Sequence, residues 1–390
     1  MTVSPRASLD ALTSLRFFAA AMVMLFHFWL RYLDGVPAPA PVALGYTGVS
    51  FFFVLSGFIL AYTYERDGVF DGGGFGRYAV HRLARIWPVY LTAIVIFLPF
   101  VVSSFLKEGA TVRLVAAVIA TPLALQAWVP GSATVINYPG WSISTEAFFY
   151  LCFPFLLAPV FRRPERALGL ALGGMLVVWT ASSLLWTRVA GGLDLMSAPL
   201  GAFDATTERV ADTIRYFPPL RLGEFVLGVA LCALWRKGRL PSDPRLLLGA
   251  AAGAAAAIVA LADRLPGPAL FSGVTVIVWA PLVVWGAEAR GGWLTRPIFV
   301  LLGRISFALY LTHATVAYYA HALDKHLLGG RLEANPAMAV VGASIVSIAV
   351  AWVVFRLIEE PARRWIVRRF ESRRADAAGA TPQGAVQPAQ

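Results

Sequence analysis

Charge is scarce in this chain. Asp, Glu, Lys and Arg make up 14% of its 390 residues, against 58% hydrophobic. Soluble domains carry about 25% charged residues, so the composition excludes an ordinary water-facing globule and indicates a polytopic membrane protein. Cysteine is nearly absent, and Cys152 and Cys232 both lie in apolar runs. That argues against a disulfide framework or a thiolate metal site. There is no Walker loop, no metal-spaced His/Cys cluster and no Gly-x-Ser-x-Gly elbow, so nucleotide hydrolysis, zinc chemistry and serine-hydrolase chemistry find no support.

What the chain does have is apolar runs with basic ends. The net charge is +11, but the arginines cluster at the ends of the runs, which fits positive-inside topology and not nucleic acid. Apolar runs fall at about 11–31, 45–64, 88–106, 112–130, 141–161, 167–187, 218–235, 246–263, 268–287, 297–317 and 337–358. Basic segments hold Arg66, Arg77, Arg82 and Arg85; Arg162, Arg163 and Arg166; Arg236, Lys237, Arg239 and Arg245; Arg290 and Arg296; and six arginines from Arg363 to Arg374. Putting all of them on the cytoplasmic side requires an odd number of spans between Arg85 and Trp141. Of the two runs there, 88–106 and 112–130, the second is expected to be re-entrant or interfacial. The expected fold is all-α, with about ten transmembrane helices plus that segment and with both termini cytoplasmic. Residues 1–370 form the membrane domain and 371–390 a disordered cytoplasmic tail. Met1 to Asp10 lacks the pattern of a cleaved signal peptide, so the first run reads as a retained span.

Arg16 and His27 share that first run. Eleven residues at about 100° each bring both side chains to one helix face, about 16 Å apart along the axis. Such residues inside a span are expensive and usually functional; the plain alternative is a snorkelling Arg and a hydrogen-bonded His. Ser56 and Gly57 lie in the second run. There a hydroxyl and a backbone free of a side chain offer either oxyanion stabilisation or close helix packing. Arg82 and Arg85 are spaced i, i+3 on one helical face, which suits phosphate oxygens or lipid headgroups. Trp141 and Ser142 open the fifth run and Glu146 follows about 7–8 Å deeper. Glu146 is expected to approach His27 as an orienting or acid–base partner, or else as a structural lock between spans. Arg221 and Glu224 are placed to pair with each other, Tyr310 and His313 share one face of the tenth run, and Glu359-Glu360-Pro361 is expected to end the last span. Two readings follow from the residues: a membrane enzyme using a phosphate-bearing donor, or a proton-coupled transporter with Arg16, His27 and Glu146 as its relay.

Together, Arg16-x10-His27, Ser56-Gly57-Phe58, Arg82-x-x-Arg85 with Pro88, Trp141-Ser142 through Glu146, and Ser306 to His313 resemble the acyltransferase-3 family of integral membrane acyltransferases. That family includes bacterial O-antigen and exopolysaccharide O-acetyltransferases. The resemblance covers about residues 8–370. It implies ten core spans, a bacterial inner-membrane location, acyl-CoA (acetyl-CoA by default) as donor substrate with no bound cofactor or metal, and a hydroxyl acceptor. It implies that Arg16 and His27 are catalytic and that Arg82 and Arg85 serve the donor side. With it, Glu146 and Ser56 join the catalytic set, and Trp141, Ser142, Tyr310 and His313 become the expected substrate-binding residues. The hydrolase-like domain that some relatives carry after an extra span is not expected here. Surface or exported glycan is the leading acceptor class, with a small secondary metabolite such as a macrolide as its rival. The expected partners are the lipid bilayer, the donor and that acceptor, with no nucleic acid.

Overall fold

The computed structural model describes residues 8–33, 35–108, 111–191 and 204–377. Ten helices among them are long and apolar enough to cross a bilayer. In chain order they are α1 (Asp10–Tyr32), α2 (Gly48–Tyr64), α3 (Phe75–Glu108), α4 (Trp141–Arg162), α5 (Pro164–Ala190), α6 (Leu222–Arg236), α7 (Pro244–Leu261), α8 (Val276–Glu288), α9 (Pro297–Leu323) and α10 (Pro336–Val354). A final helix, α11 (Glu360–Ala377), continues α10 through a π turn at Phe355–Glu359. The strands described are a single small hairpin, β1 (Glu65–Arg66) against β2 (Val69–Phe70), directly after α2. The protein is an all-α polytopic membrane protein.

The run at 112–130 does not span. Its helix, Thr111–Ala120, has 10 residues, about 15 Å of rise against a hydrocarbon core of about 30 Å. After it the chain dives back into the bundle. Tyr90 donates to Thr121 O at 2.7 Å, Trp87 Nε1 to Pro122 O at 3.1 Å, and Ser144 Oγ to Ala124 O at 2.6 Å. Gln126 Nε2 ties this segment to the Tyr90 hydroxyl and to Gly140 O, both at 2.8 Å. Tyr90 lies about 27 Å along α3 from its end at Glu108, so the segment is re-entrant. Irregular backbone survives at that depth because it is enclosed by protein that satisfies its polar groups.

Lipid supplies no hydrophobic drive between helices, so small residues and close backbone approach hold the bundle. α2 and α6 cross through a reciprocal pair of glycines. A Cβ on Gly57 would sit 2.1 Å from Phe225 O, and one on Gly228 would sit 2.0 Å from Val54 O. Gly57 is therefore a packing residue whose face is filled by α6, and not the backbone oxyanion donor that the sequence suggested. Gly57→Ala should cost about 1–3 kcal/mol by overpacking, read as a lower thermal midpoint in detergent; an unchanged midpoint would contradict the crossing. α1 and α9 meet in the same way, with Gly303 against Thr13 O. α5 and α7 lie at the periphery and turn Leu170, Val177, Leu184, Leu246 and Val259 outward, as lipid-facing spans do.

The basic connections gather at one end of the bundle. Arg236 pairs with Glu65 and Arg239 with Glu165, and Lys237 Nζ donates to Phe161 O at 2.6 Å. There α11 lies along the start of α3: Glu371 takes Arg77 Nε at 2.7 Å and His81 Nε2 at 3.3 Å, and Arg374 donates to Gly73 O. Two expectations change here. Glu359-Glu360-Pro361 does not stop the helix, because the π turn before Pro361 lets the helix continue while it turns Glu359 inward. The chain is helical and anchored through Ala377, so the expected tail boundary at 371 falls within α11; residues 378–390 lie outside the described ones.

Candidate active site

The interior faces of α1, α2, α3, α4 and α9 carry the polar residues of the sequence motifs, arranged in three levels from the far end to the basic end. Arg16, His27, Ser56, Arg82, Arg85, Glu146 and Tyr150 are all partly exposed although helices surround them. Neighbours such as Ser50, Phe53, Val54 and Phe149 are buried. Partial exposure inside a bundle marks an accessible cleft.

The outermost level is built on His27. Its Nδ1 lies 2.8 Å from Nε2 of His313, with the rings nearly parallel (14°) and 5.0 Å apart. His313 is fully buried, and its Nδ1 lies 3.1 Å from Leu309 O in the preceding turn of α9. Tyr138 presents an edge to the His27 ring at 5.1 Å. The turn that carries Tyr138 is fixed by Asn137, whose Nδ2 donates to Leu311 O at 3.1 Å and whose backbone is left-handed at φ 56°. Around this level Tyr310 donates from its hydroxyl toward Ser142 Oγ at 2.9 Å and Pro139 O at 3.1 Å. Trp141 packs on Tyr216 at 5.1 Å and on Phe271 at 5.9 Å. Tyr216 ends the helix Ala205–Tyr216 outside the bundle, and Asp212 of that helix accepts Gly131 N at 2.8 Å. Burial pushes the Asp212 carboxyl above the ordinary aspartate range.

One level down, Glu146 Oε1 accepts from Tyr150 at 2.5 Å and from Ser56 Oγ at 3.4 Å. Glu146 and His27 are not brought together; His313 occupies the place expected for Glu146. The re-entrant segment accounts for this. It carries the chain down to His27 at Tyr138, before α4 begins, and Glu146 then falls about 12 Å further along. Depth counted from a surface start of α4 is wrong by that amount.

At the basic end Arg82 lies over Tyr64 at 5.1 Å and Tyr150 at 6.0 Å. It has no carboxylate partner among the described residues, and its Nε is buried without a hydrogen bond. Arg85 differs: it pairs with the buried Glu359 and covers Phe307 at 5.5 Å. The i, i+3 spacing thus yields one guanidinium without a carboxylate partner among the described residues and one committed to a carboxylate. Tyr138 and Tyr150 have no assigned role in the sequence reading, and Glu359 appears there only as part of a helix stop. The spacing of Tyr150 at i+4 from Glu146 was a visible signal for a helical hydrogen bond; nothing local marked the other two.

Trp141, Ser142 and Tyr310 form one cluster, with Trp141 also facing the buried Arg221–Glu224 pair. That pair closes as its spacing suggested, with Nε–Oε2 at 2.6 Å.

The sequence model of the acyltransferase domain matches residues 9–356. The chain is similar to the acyltransferase MdmB of Streptomyces mycarofaciens, 29% identical over 385 residues and 93% of each chain. It is also similar to the exopolysaccharide production protein ExoZ of Rhizobium meliloti (strain 1021), 26% identical over 86% of this chain and 93% of the relative. A Staphylococcus aureus (strain COL) protein bearing the name of an O-acetyltransferase is 22% identical over 91% of this chain, which spans 57% of that relative. No solved structure matches.

Proposed function

The chain belongs to the acyltransferase-3 family and is a membrane O-acyltransferase, and from that premise we propose that it transfers an acyl group, acetyl by default, from acyl-CoA on the basic side of the membrane to a glycan hydroxyl on the far side. The observation that carries this reading is the set of partly exposed polar residues inside the bundle, Arg82, Glu146, Arg16 and His27. His27 lies about 25 Å up α1 from Asp10. Only a donor with an anionic head and a long thin arm can leave its phosphates at Arg82 and present a thioester at that height.

His27 takes the acceptor hydroxyl proton on Nε2, the nitrogen that His313 leaves unengaged. The alkoxide oxygen attacks the thioester carbonyl. The tetrahedral intermediate then collapses, the C–S bond breaks, and the departing thiolate takes the proton from His27. One ester and one free thiol result. Arg16 lies about 16 Å below His27 along α1, and its positive charge faces the donor as the donor threads past it toward His27. Ser56 positions Glu146 instead of serving as an oxyanion donor itself. Arg82 binds donor phosphate, while Arg85 holds α3 to the π turn through Glu359. Trp141 and the Ser142–Tyr310 pair shape the acceptor side. With the basic end in the cytoplasm both termini are cytoplasmic, and the protein sits in a bacterial inner membrane.

The test is protein in liposomes given acetyl-CoA on the basic side and candidate acceptors on the other. Stoichiometric free thiol together with ester on a glycan supports the reading. Thiol release that appears only with a small hydroxylated metabolite moves the acceptor to that class. Substrate flux with no thiol release would establish transport and overturn the enzyme reading of this site.

A further inference from the structure

We infer that His313 is a positioning residue that fixes the tautomer of His27, so that the basic nitrogen of the site is Nε2 and not Nδ1. The inference rests on the reading of His27 as the base and changes the expected role of His313 from substrate contact to partner of the base.

The chain of donors and acceptors has one solution. A backbone carbonyl only accepts, so the 3.1 Å contact with Leu309 O requires the proton of His313 to be on Nδ1. A neutral imidazole protonated there offers Nε2 as an acceptor. Nδ1 of His27 lies 2.8 Å from that atom, so His27 Nδ1 must donate. The His27 proton is therefore on Nδ1, and the lone pair on Nε2 is free. Doubly protonated His313 would reverse the direction, but no carboxylate among the described residues bonds to either ring. An unpaired charge on a fully buried side chain is too costly to hold.

The geometry also fixes the aim of that lone pair. The near-parallel rings and the Tyr138 edge pin the plane of His27. Because α1 and α9 are joined at Gly303 and Thr13, the two histidines are held on two helices that approach backbone to backbone. When Nε2 takes the acceptor proton, Nδ1–H keeps its bond to His313, so the imidazolium is stabilised without moving. A histidine here replaces the carboxylate that orients histidine in many hydrolytic sites. The neutral partner avoids placing a second charge on the fully buried His313 side chain.

The experiment compares His313→Leu with His313→Gln in the liposome assay. Gln places an amide oxygen near the position of Nε2 and can accept from His27; Leu fills the space and cannot. Leu should lower kcat by about 10- to 100-fold, the usual cost of losing an orienting partner, with KM for donor and acceptor within about twofold. Gln should restore kcat to within about threefold of the parent. A purely structural role predicts that both variants fall together, and a substrate contact predicts a raised KM at constant kcat; either result overturns the assignment. The chain has five histidines, so nitrogen-15 histidine NMR on the unaltered protein gives a readout free of activity and of variant folding. An unprotonated Nε2 on His27 is expected, and a protonated one overturns the inference. If His27→Ala remains active, the base reading itself has failed; if His27→Ala is inactive while His313→Leu is fully active, only the present inference falls.

Discussion

Alanine at position 27 is expected to slow ester formation by about 100- to 10,000-fold, the range that a positioned general base supplies. In barrier height that is about 2.7–5.4 kcal/mol. Stability should change little. His27 is partly exposed, and its hydrogen bond among the described residues is to another neutral side chain. The Leu309–His313 contact that orders α9 survives its removal. A monodisperse, normally inserted and inactive variant is thus the expected outcome, checked by size exclusion beside the thiol-release assay. His27→Gln separates basicity from shape, since it keeps a polar group of similar reach but cannot accept a proton at neutral pH, and it should be nearly as slow as alanine. If His27 carries the acyl group covalently instead of acting as a base, both variants are again inactive, but quenching the parent during turnover traps labelled acyl-protein. Activity retained in the alanine variant would remove His27 from the mechanism.

Much of this site could be read from the chain because the constraints were local. Arg16 and His27 share a helix face by simple periodicity. The parity of the basic loops gave ten spans and singled out 112–130 as the run that fails to cross, which the 10-residue helix Thr111–Ala120 bears out. Arg221 and Glu224 pair as their i, i+3 spacing suggested. What failed depended on depth or on contacts between distant segments. Glu146 was placed opposite His27 by counting from a surface start of α4, but the re-entrant segment begins that helix deeper. The real partner of His27 is 286 residues away in sequence, and no periodicity within one helix can report which neighbour stands beside it. Arg85 read as a phosphate ligand because Glu359, which neutralises it, sits in a π turn near the other end of the chain. Ser56-Gly57 illustrates two adjacent residues with opposite duties: Ser56 faces the cleft toward Glu146, and Gly57 faces α6.

The largest stability effect is expected from breaking the Arg221–Glu224 pair from one side. Both residues are 1% exposed. The guanidinium makes two bonds to the carboxylate, at 2.6 and 3.0 Å, and one to Ser50 Oγ at 3.2 Å. Phe53, Phe271 and Trp141 enclose it at 5.1, 5.2 and 5.7 Å. Glu224→Leu strands that cation among aromatic rings, with Ser50 as its remaining polar contact, at a cost of about 3–5 kcal/mol. Arg221→Leu with Glu224→Leu together should recover most of the loss, because two apolar residues replace two charges that no longer need desolvation. The order of thermal midpoints, parent near or above the double variant and both well above Glu224→Leu, checks the claim; equal losses for single and double variants would show that the pair acts through shape alone. The pair also connects to the chemistry. Trp141 rests on Arg221, Ser142 follows Trp141 in the first turn of α4, and Ser142 holds the Tyr310 hydroxyl. On the proposed function, the double variant, folded but without the cation beneath Trp141, should raise KM for the acceptor while leaving KM for the donor unchanged, since the donor contacts proposed at Arg82 lie over Tyr64 and Tyr150 at the opposite end of the cleft.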